Sequence, residues 1–241
     1  MPIKLIELQE AFEIELNVLD DGLNKPKSMD TEWWLNRGLE KFWKTRYSGM
    51  NIKGTAFEQD QKRIDDLRTL VTRKHYNTTT KESNDLYTVT LPDDYVILLG
   101  DTAGITPADG VKIDCWETDE NGKSIVRRGD TIEASIETID RQKTNSLSEH
   151  KLKYATARPL RLIQGNNILL YTDGQYKVSE YDITYLKRPN KIDIHSNPFG
   201  MYTDMPEHTH SEIVKIAAQM YIENQSNPRI NTHNTEVQEM E

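Results

Sequence analysis

The chain has 241 residues, of which 36% are hydrophobic and 29% are charged, and its formal net charge is −9. This length is enough for one or two domains with a real core, and the low apolar content indicates either a large exposed surface or burial completed in an assembly. The acidic balance opposes sequence-independent binding of nucleic acid by the surface as a whole, because such binding needs a basic face, although a local basic patch stays possible.

The compartment is predicted from the cysteine count and from the apolar runs. Cys115 is the single cysteine, so an internal disulfide is excluded, which fits a reducing compartment. The first residues lack the long apolar run of a signal peptide, and no stretch approaches the roughly 18 to 20 apolar residues of a membrane span. We therefore expect a soluble protein that matures in the cytoplasm and does not enter a membrane.

Three helices are predicted at the start of the chain. The first covers residues 3–19, where leucine and phenylalanine recur at every third or fourth position. The second begins near Asp30, ends at Ser48-Gly49 and carries three of the four tryptophans. The third starts at a Thr-x-x-Glu capping box at Thr55 and continues to His75, with cations placed to suit its C-terminal end.

A β-rich region is predicted from residue 76 to residue 194. Strand-forming runs flank Asn121-Gly122, Gly165-Asn166 and Asp173-Gly174, which predicts an antiparallel meander. The stretch 132–153 is ambiguous, and a short helix over 146–150 is one interpretation of it. The helical period returns after Pro206, and the residues after 224 are polar and without periodicity.

The late helix needs a partner for its apolar stripe, and the first three helices offer suitable faces. We therefore predict an α+β protein with a helical bundle built from the N-terminal helices and a C-terminal helix. A β-rich antiparallel insertion and an extended C-terminal tail complete it. The predicted parts are residues 1–75 and 195–224 for the helical core, 76–194 for the insertion and 225–241 for the tail.

No pattern in the chain predicts catalysis, a cofactor or a metal site. His208 and His210 are two residues apart, so helical geometry does not bring them to one ion. Carboxylates are paired at Asp65-Asp66 and elsewhere, but no basic partner recurs beside them, and they are interpreted as solvated. A DNA-processing hydrolase and a monomeric binding module that uses the β insertion stay as alternatives. One basic cluster consists of Lys151, Lys153, Arg158 and Arg161, with Lys187, Arg188 and Lys191 later in the chain. If the strands bring these residues together, they are suited to phosphate or to an acidic partner, and an acidic neighbouring subunit fits them as well as DNA does.

The second helix concentrates aromatic mass. Trp33 and Trp34 project about 100° apart on a helix, so both do not face one narrow core seam. One of the two is expected to contact another element or another subunit, and the other is expected in the core.

Several runs resemble structural proteins of tailed bacteriophages, above all the head-to-tail connector or ring proteins of crAss-like podoviruses. The first run is Trp33-Trp34-Leu35-Asn36 continued to Phe42, followed by Thr45-Arg46-Tyr47-Ser48-Gly49. The other similar runs are residues 57–67, 158–162 with 165–167, 185–189 and 206–214. None of them is a catalytic motif.

The resemblance implies a virion protein of the neck or tail that is not an enzyme. Such a subunit assembles into a homo-oligomeric ring, typically a dodecamer, beneath the portal protein and next to further tail or ring proteins. Double-stranded DNA passes through the ring during genome ejection without sequence-specific binding. The residues implied for the subunit interface are Trp33, Trp34, Arg37, Trp43 and Tyr47, those for a portal-docking tail are Asn227, Pro228, Arg229 and Ile230, and those for an acidic face along the DNA lumen are Glu7, Glu10 and Glu13.

Overall fold

The computed structural model describes residues 3–19, 26–48, 57–77, 79–120 and 122–224. These residues form a mixed α+β protein, which confirms the predicted fold class. The chain divides into two compact units, one made of Met1–Leu70 with Pro189–Glu241 and the other made of Val71–Arg188. The sequence predicts the β-rich insertion over residues 76–194. Its predicted start and its predicted end each lie about five residues later in the chain than the bounds of the second unit.

The elements follow one another along the chain in this order. The α-helices are α1 Leu5–Leu19, α2 Ser28–Ser48, α3 Phe57–Leu67, α4 Ile139–Thr144 and α5 His210–Asn224. The strands are β1 Ile3–Lys4, β2 Val71–Tyr76, β3 Thr80–Lys81, β4 Leu86–Thr90, β5 Tyr95–Pro107, β6 Arg127–Asp130, β7 Ile132–Glu133, β8 Leu160–Gln164, β9 Asn167–Tyr171, β10 Tyr176–Lys187 and β11 Met201–Tyr202. Two 3₁₀ turns, Arg68–Leu70 and Glu207–Thr209, adjoin α3 and α5.

Helix α5 is the centre of the first unit, because both α1 and α2 pack against it. Its buried side chains recur at helical spacing and include Ile213, Val214, Ala217 and Tyr221. The Tyr221 ring meets Phe12 of α1 edge-on at 6.2 Å between centroids. Helix α1 and helix α2 supply matching apolar stripes, namely Leu5, Leu8, Phe12 and Leu16 from α1 and Leu35, Leu39, Phe42 and Trp43 from α2. The two ends of the chain thus share one core.

Helices α2 and α5 approach closely at a glycine. A Cβ atom on Gly38 would lie 2.8 Å from the Cβ of Ala217 and 2.9 Å from the carbonyl oxygen of Ile213. Side-chain atoms do not come this close without displacement, so the crossing needs a residue without a side chain at this position.

The segment before α5 is fastened to α2 by polar contacts. The Asn36 side chain donates to the Ile192 carbonyl at 2.8 Å and accepts from the Ile192 N–H at 2.9 Å. One Glu32 carboxylate oxygen accepts from the N–H groups of Ile194 and His195, both at 3.1 Å. Strand β1 pairs antiparallel with β11, so the segment is also held at the start of the chain.

The second unit contains two sheets with a shared core. One sheet has the order β2-β10-β5-β6 and the other β3-β4-β9-β8-β7, and every pairing is antiparallel except β7 with β8. Tyr176, Tyr181 and Ile183 of the first sheet lie in one apolar cluster with Ile168 and Leu170 of the second. Alternating residues of both sheets therefore fill the space between them.

Several details differ from the sequence-based expectation. Helix α3 ends at Leu67, and residues 71–75 belong to strand β2, so the helical stripe expected to reach Val71 and the basic helix terminus expected at His75 are wrong. The reason is cross-strand pairing, because His75 and Arg73 lie beside Asp182 of β10. Asp173-Gly174 does not form a hairpin within one sheet, since β9 and β10 belong to different sheets.

Three shorter predictions also need correction. The region 132–153 contains a helix at Ile139–Thr144, and residues 146–150 form turns instead of a helix. The turn at Gly122 is flanked by an isolated bridge between Thr118 and Ser124 and not by paired strands. The alternation of Ile113, Cys115 and Glu117 predicts a buried strand position for Cys115, but this residue is exposed in a turn.

Candidate functional site

Helix α2 presents one face to solvent along most of its length. Met29 is 63% exposed and Trp33 is 50% exposed, and Arg37, Lys41, Lys44 and Tyr47 are exposed further along. These positions are spaced by three or four residues, so their side chains project from one side of the helix. We call these six residues the cationic-aromatic face of α2. Large apolar groups that stay open to solvent next to cations are typical of a contact surface.

The tryptophans of α2 have different environments. The rings of Trp33 and Trp34 meet edge-on, with 4.5 Å between their centroids. The Trp34 ring also meets the Tyr221 ring of α5 edge-on, with 5.7 Å between centroids. The Trp33 ring lies outward, with the guanidinium carbon of Arg37 5.0 Å from its centroid. Trp43 is 9% exposed and packs in the core, so its ring has little surface left for a second chain.

The predicted acidic residues lie on the outer side of α1. Glu7 and Glu10 are exposed, Glu13 is half-buried, and the neighbouring Ile14 is 62% exposed. Glu7 accepts a long hydrogen bond from the Lys4 N–H at 3.4 Å, and Glu13 accepts one from the Gln9 side chain at 3.0 Å. Glu7, Glu10, Glu13 and Ile14 form the acidic face of α1.

The predicted portal-docking residues Asn227, Pro228, Arg229 and Ile230 lie outside the described residues, and their role stays a prediction.

A buried network of charged groups joins α2, α3 and α5, and the sequence did not reveal it. Arg46 of α2 forms ion pairs with Asp66 of α3, at 2.9 Å, and with Glu212 of α5. His208 Nε2 lies 2.7 Å from Asp66 Oδ1, and Lys62 Nζ lies 3.0 Å from Glu212 Oε1. Asp66 is fully buried, so its interpretation as a solvated carboxylate is wrong. The network bridges three helices at their contact, which is a structural role.

A second charged cluster lies on the four-stranded sheet. His75 Nδ1 is 2.8 Å from an oxygen of Asp182, and Arg73 and Arg128 approach the same carboxylate at 3.4 and 3.5 Å. Burial alone would raise the pKa of Asp182, but the hydrogen bonds from His75 and Arg73 outweigh it, so this pKa lies below its usual range. The cluster ties β2 and β6 to the central strand β10.

The basic residues of the second unit are brought together only in part. Lys151, Lys153 and Arg158 line a cleft of about 300 Å³ with Arg127 and Arg128. Arg158 is paired with Glu149 at 2.9 Å, and Arg128 is paired with Glu180 at 2.6 Å, so part of this charge is already balanced.

Arg161 does not line the cleft. It is nearly buried and forms an ion pair with Asp101 at 2.7 Å. The other carboxylate oxygen of Asp101 accepts a hydrogen bond from the Tyr181 hydroxyl at 2.6 Å.

The described residues contain no group of three histidine, cysteine or acidic side chains that is placed to hold a metal ion. None of the helices in the described ranges combines the length and the apolar content needed to cross a membrane. No protein-family model and no curated protein matches this chain.

Proposed function

We propose that the chain is a structural virion protein, a subunit of the ring-shaped head-to-tail connector beneath the portal of a tailed bacteriophage. In this proposal the helices from both ends of the chain form a bundle, and roughly twelve copies close into a ring. The tail after residue 224 extends onto the portal protein, and the β unit faces further tail or ring proteins. Double-stranded DNA passes through the ring without sequence-specific contacts.

The cationic-aromatic face of α2 is the observation that carries the proposal. A half-exposed tryptophan beneath an arginine is costly to leave in water, and such pairs are common at the centres of protein interfaces. The face lies in the run that resembles the connector proteins. The low apolar content of the chain agrees with a core that is completed between subunits.

The mass of the assembled protein tests the proposal. The purified chain is examined alone and with the portal protein of the same phage, by native mass spectrometry and negative-stain imaging. We expect closed rings in at least the mixture with portal protein, because the portal supplies the surface on which the proposed ring docks. A chain that stays monomeric under both conditions contradicts the proposal.

Matched variants connect the ring to the proposed face. Trp33→Ser combined with Arg37→Ser removes the exposed pair, and Tyr154→Ser removes a fully exposed aromatic side chain of the β unit. We expect the first variant to lose rings and the second to retain them. Rings formed equally well by both variants would exclude the α2 face from the contact.

The basic cleft of the β unit favours one second candidate, a monomeric binding module for a polyanion. Lys151→Glu with Lys153→Glu would then abolish retention on heparin and binding of an oligonucleotide in fluorescence anisotropy. The internal pairs of Arg158 and Arg128 reduce the free positive charge, so we expect the wild-type chain to bind weakly and to lose this binding in moderate salt.

A further inference from the structure

The two exposed helix faces of the first unit carry opposite charge. The face of α2 has Arg37 and Lys41, neither of which has a carboxylate partner among the described residues. The face of α1 has Glu10, which likewise has no cationic partner there, beside Glu7 and Glu13. Lys44 is the exception, because it is paired with Glu40 on its own helix.

Each face also exposes an apolar side chain that could pack against the other face. Ile14 is 62% exposed at the C-terminal end of the acidic face, and Trp33 and Met29 are exposed on the α2 face. An isoleucine packed against an indole, with charged side chains around the contact, matches the apolar core and the polar rim of protein interfaces. The α1 face runs over about 10 Å from Glu7 to Ile14, and the α2 face runs over about 27 Å from Met29 to Tyr47, at 1.5 Å per residue.

The two faces do not satisfy each other within one copy. Both helices turn their apolar stripes toward α5, so their outer faces point away from it. A face that is complementary to a different face of the same molecule makes a head-to-tail contact, and a repeated contact of this kind generates a ring when the rotation closes.

We propose that the acidic face of α1 in one copy docks on the cationic-aromatic face of α2 in the next copy, with Glu10 against Arg37 and Ile14 against Trp33. This inference deepens the ring proposal and rests on it. It places Glu7, Glu10 and Glu13 at the subunit contact, whereas the family resemblance implied a place along the DNA lumen. The partner is a second copy because both complementary surfaces are present on the chain, and DNA would be repelled by the acidic face.

Cysteine pairing tests the contact directly. In a Cys115→Ser background, a Glu10→Cys chain is mixed with an Arg37→Cys chain, and disulfides are formed by mild oxidation in the presence of portal protein. Glu10→Cys mixed with Leu147→Cys is the control, since Leu147 is exposed in the β unit. We expect at least about tenfold more covalent heterodimer in the first mixture, because a specific contact raises the local concentration of the two thiols.

Charge reversal gives an independent readout. Glu10→Lys and Arg37→Glu should each weaken ring assembly by about tenfold, and the two changes together should restore it. A lumen position for Glu10 predicts instead intact rings with slowed DNA ejection after Glu10→Lys, and that result overturns the inference.

The outcomes also separate the inference from the ring proposal. Rings that form normally but give no Glu10→Cys to Arg37→Cys disulfide leave the ring proposal standing and overturn the contact. A wild-type chain that forms no ring with or without portal protein overturns both. All variants change exposed side chains, and circular dichroism confirms that each one is folded before it is scored.

Discussion

The Nε atom of Arg46 lies 2.9 Å from the Oδ2 atom of Asp66, and the two side chains are 6% and 0% exposed. Arg46 also pairs with Glu212, so one guanidinium neutralises carboxylates from two further helices at their point of contact. Asp66 also pairs with His208, and Glu212 also pairs with Lys62. Arg46 therefore joins two acidic groups where three helices of the first unit meet.

Replacing that cation should destabilise the first unit strongly. Arg46→Met removes the cation shared by the fully buried Asp66 and the largely buried Glu212, and the expected cost is about 3–5 kcal/mol of unfolding free energy. Urea unfolding followed by tryptophan fluorescence measures it, because Trp33, Trp34 and Trp43 all lie in α2. Lys44→Met is the control, since the exposed pair with Glu40 should contribute less than about 1 kcal/mol. Equal effects of the two substitutions would show that the buried network is not structurally important.

Gly38 should not tolerate alanine. In an open helix this change is stabilising by up to about 1 kcal/mol, but here the added Cβ meets Ala217 and the Ile213 backbone of α5. We expect a net loss of about 1–3 kcal/mol, because α2 and α5 must move apart. The urea midpoint measures the loss, and Lys41→Ala, an exposed change on the same helix, is the reference. A stabilised Gly38→Ala protein would show that the two helices are not in contact there.

The β unit should lose stability below neutral pH through His150. Burial lowers the pKa of this histidine, with Lys151 and Lys143 acting in the same direction against Asp173. The unfolded chain then binds more protons than the folded chain as the pH falls below the ordinary histidine value of about 6.5, so stability is complete above that pH and decreases below it.

Hydrogen exchange of the β10 amides at pH 7.5 and 5.5, corrected for intrinsic rates, measures this dependence. His150→Leu should reduce it, whereas His195→Gln, which changes an exposed histidine of the other unit, should leave it unchanged. An unaltered pH dependence in His150→Leu would assign the effect to other groups.

The β unit should fold after excision from the chain. Val71 of β2 pairs with Leu186 of β10, so the two ends of the unit lie on neighbouring strands, about 5 Å apart. We expect residues 71–188 to give a cooperative thermal transition, and a chain with this segment replaced by a short Gly-Ser linker to keep its helical circular dichroism. Two unfolded products would show that neither unit has a sufficient core of its own.

Much of the fold was predictable because it follows from local periodicity. The stripes of α1, α2 and α5 recur at three or four residues, and the hairpin at Gly165 joins β8 to β9 as its turn residues predict. The end of α3 was not predictable in this way. Val71 and Thr72 favour a strand, but the three residues after them do not, and the strand forms by pairing with β10, more than one hundred positions later.

The candidate site shows the same division between local and distant information. The 100° angle between Trp33 and Trp34 follows from helix geometry, and the structure places Trp34 against Tyr221 and leaves Trp33 half exposed. The network around Arg46 had no local signal, because its members come from three helices and meet only when those helices pack. The close approach at Gly38 is equally a property of the packed pair.

The number of copies in the assembled particle tests the central claim most directly. Native mass spectrometry of the chain mixed with the portal protein of its phage should give one closed homo-oligomer, of roughly twelve copies, bound to the portal. A chain that remains monomeric and unbound at every concentration contradicts the account.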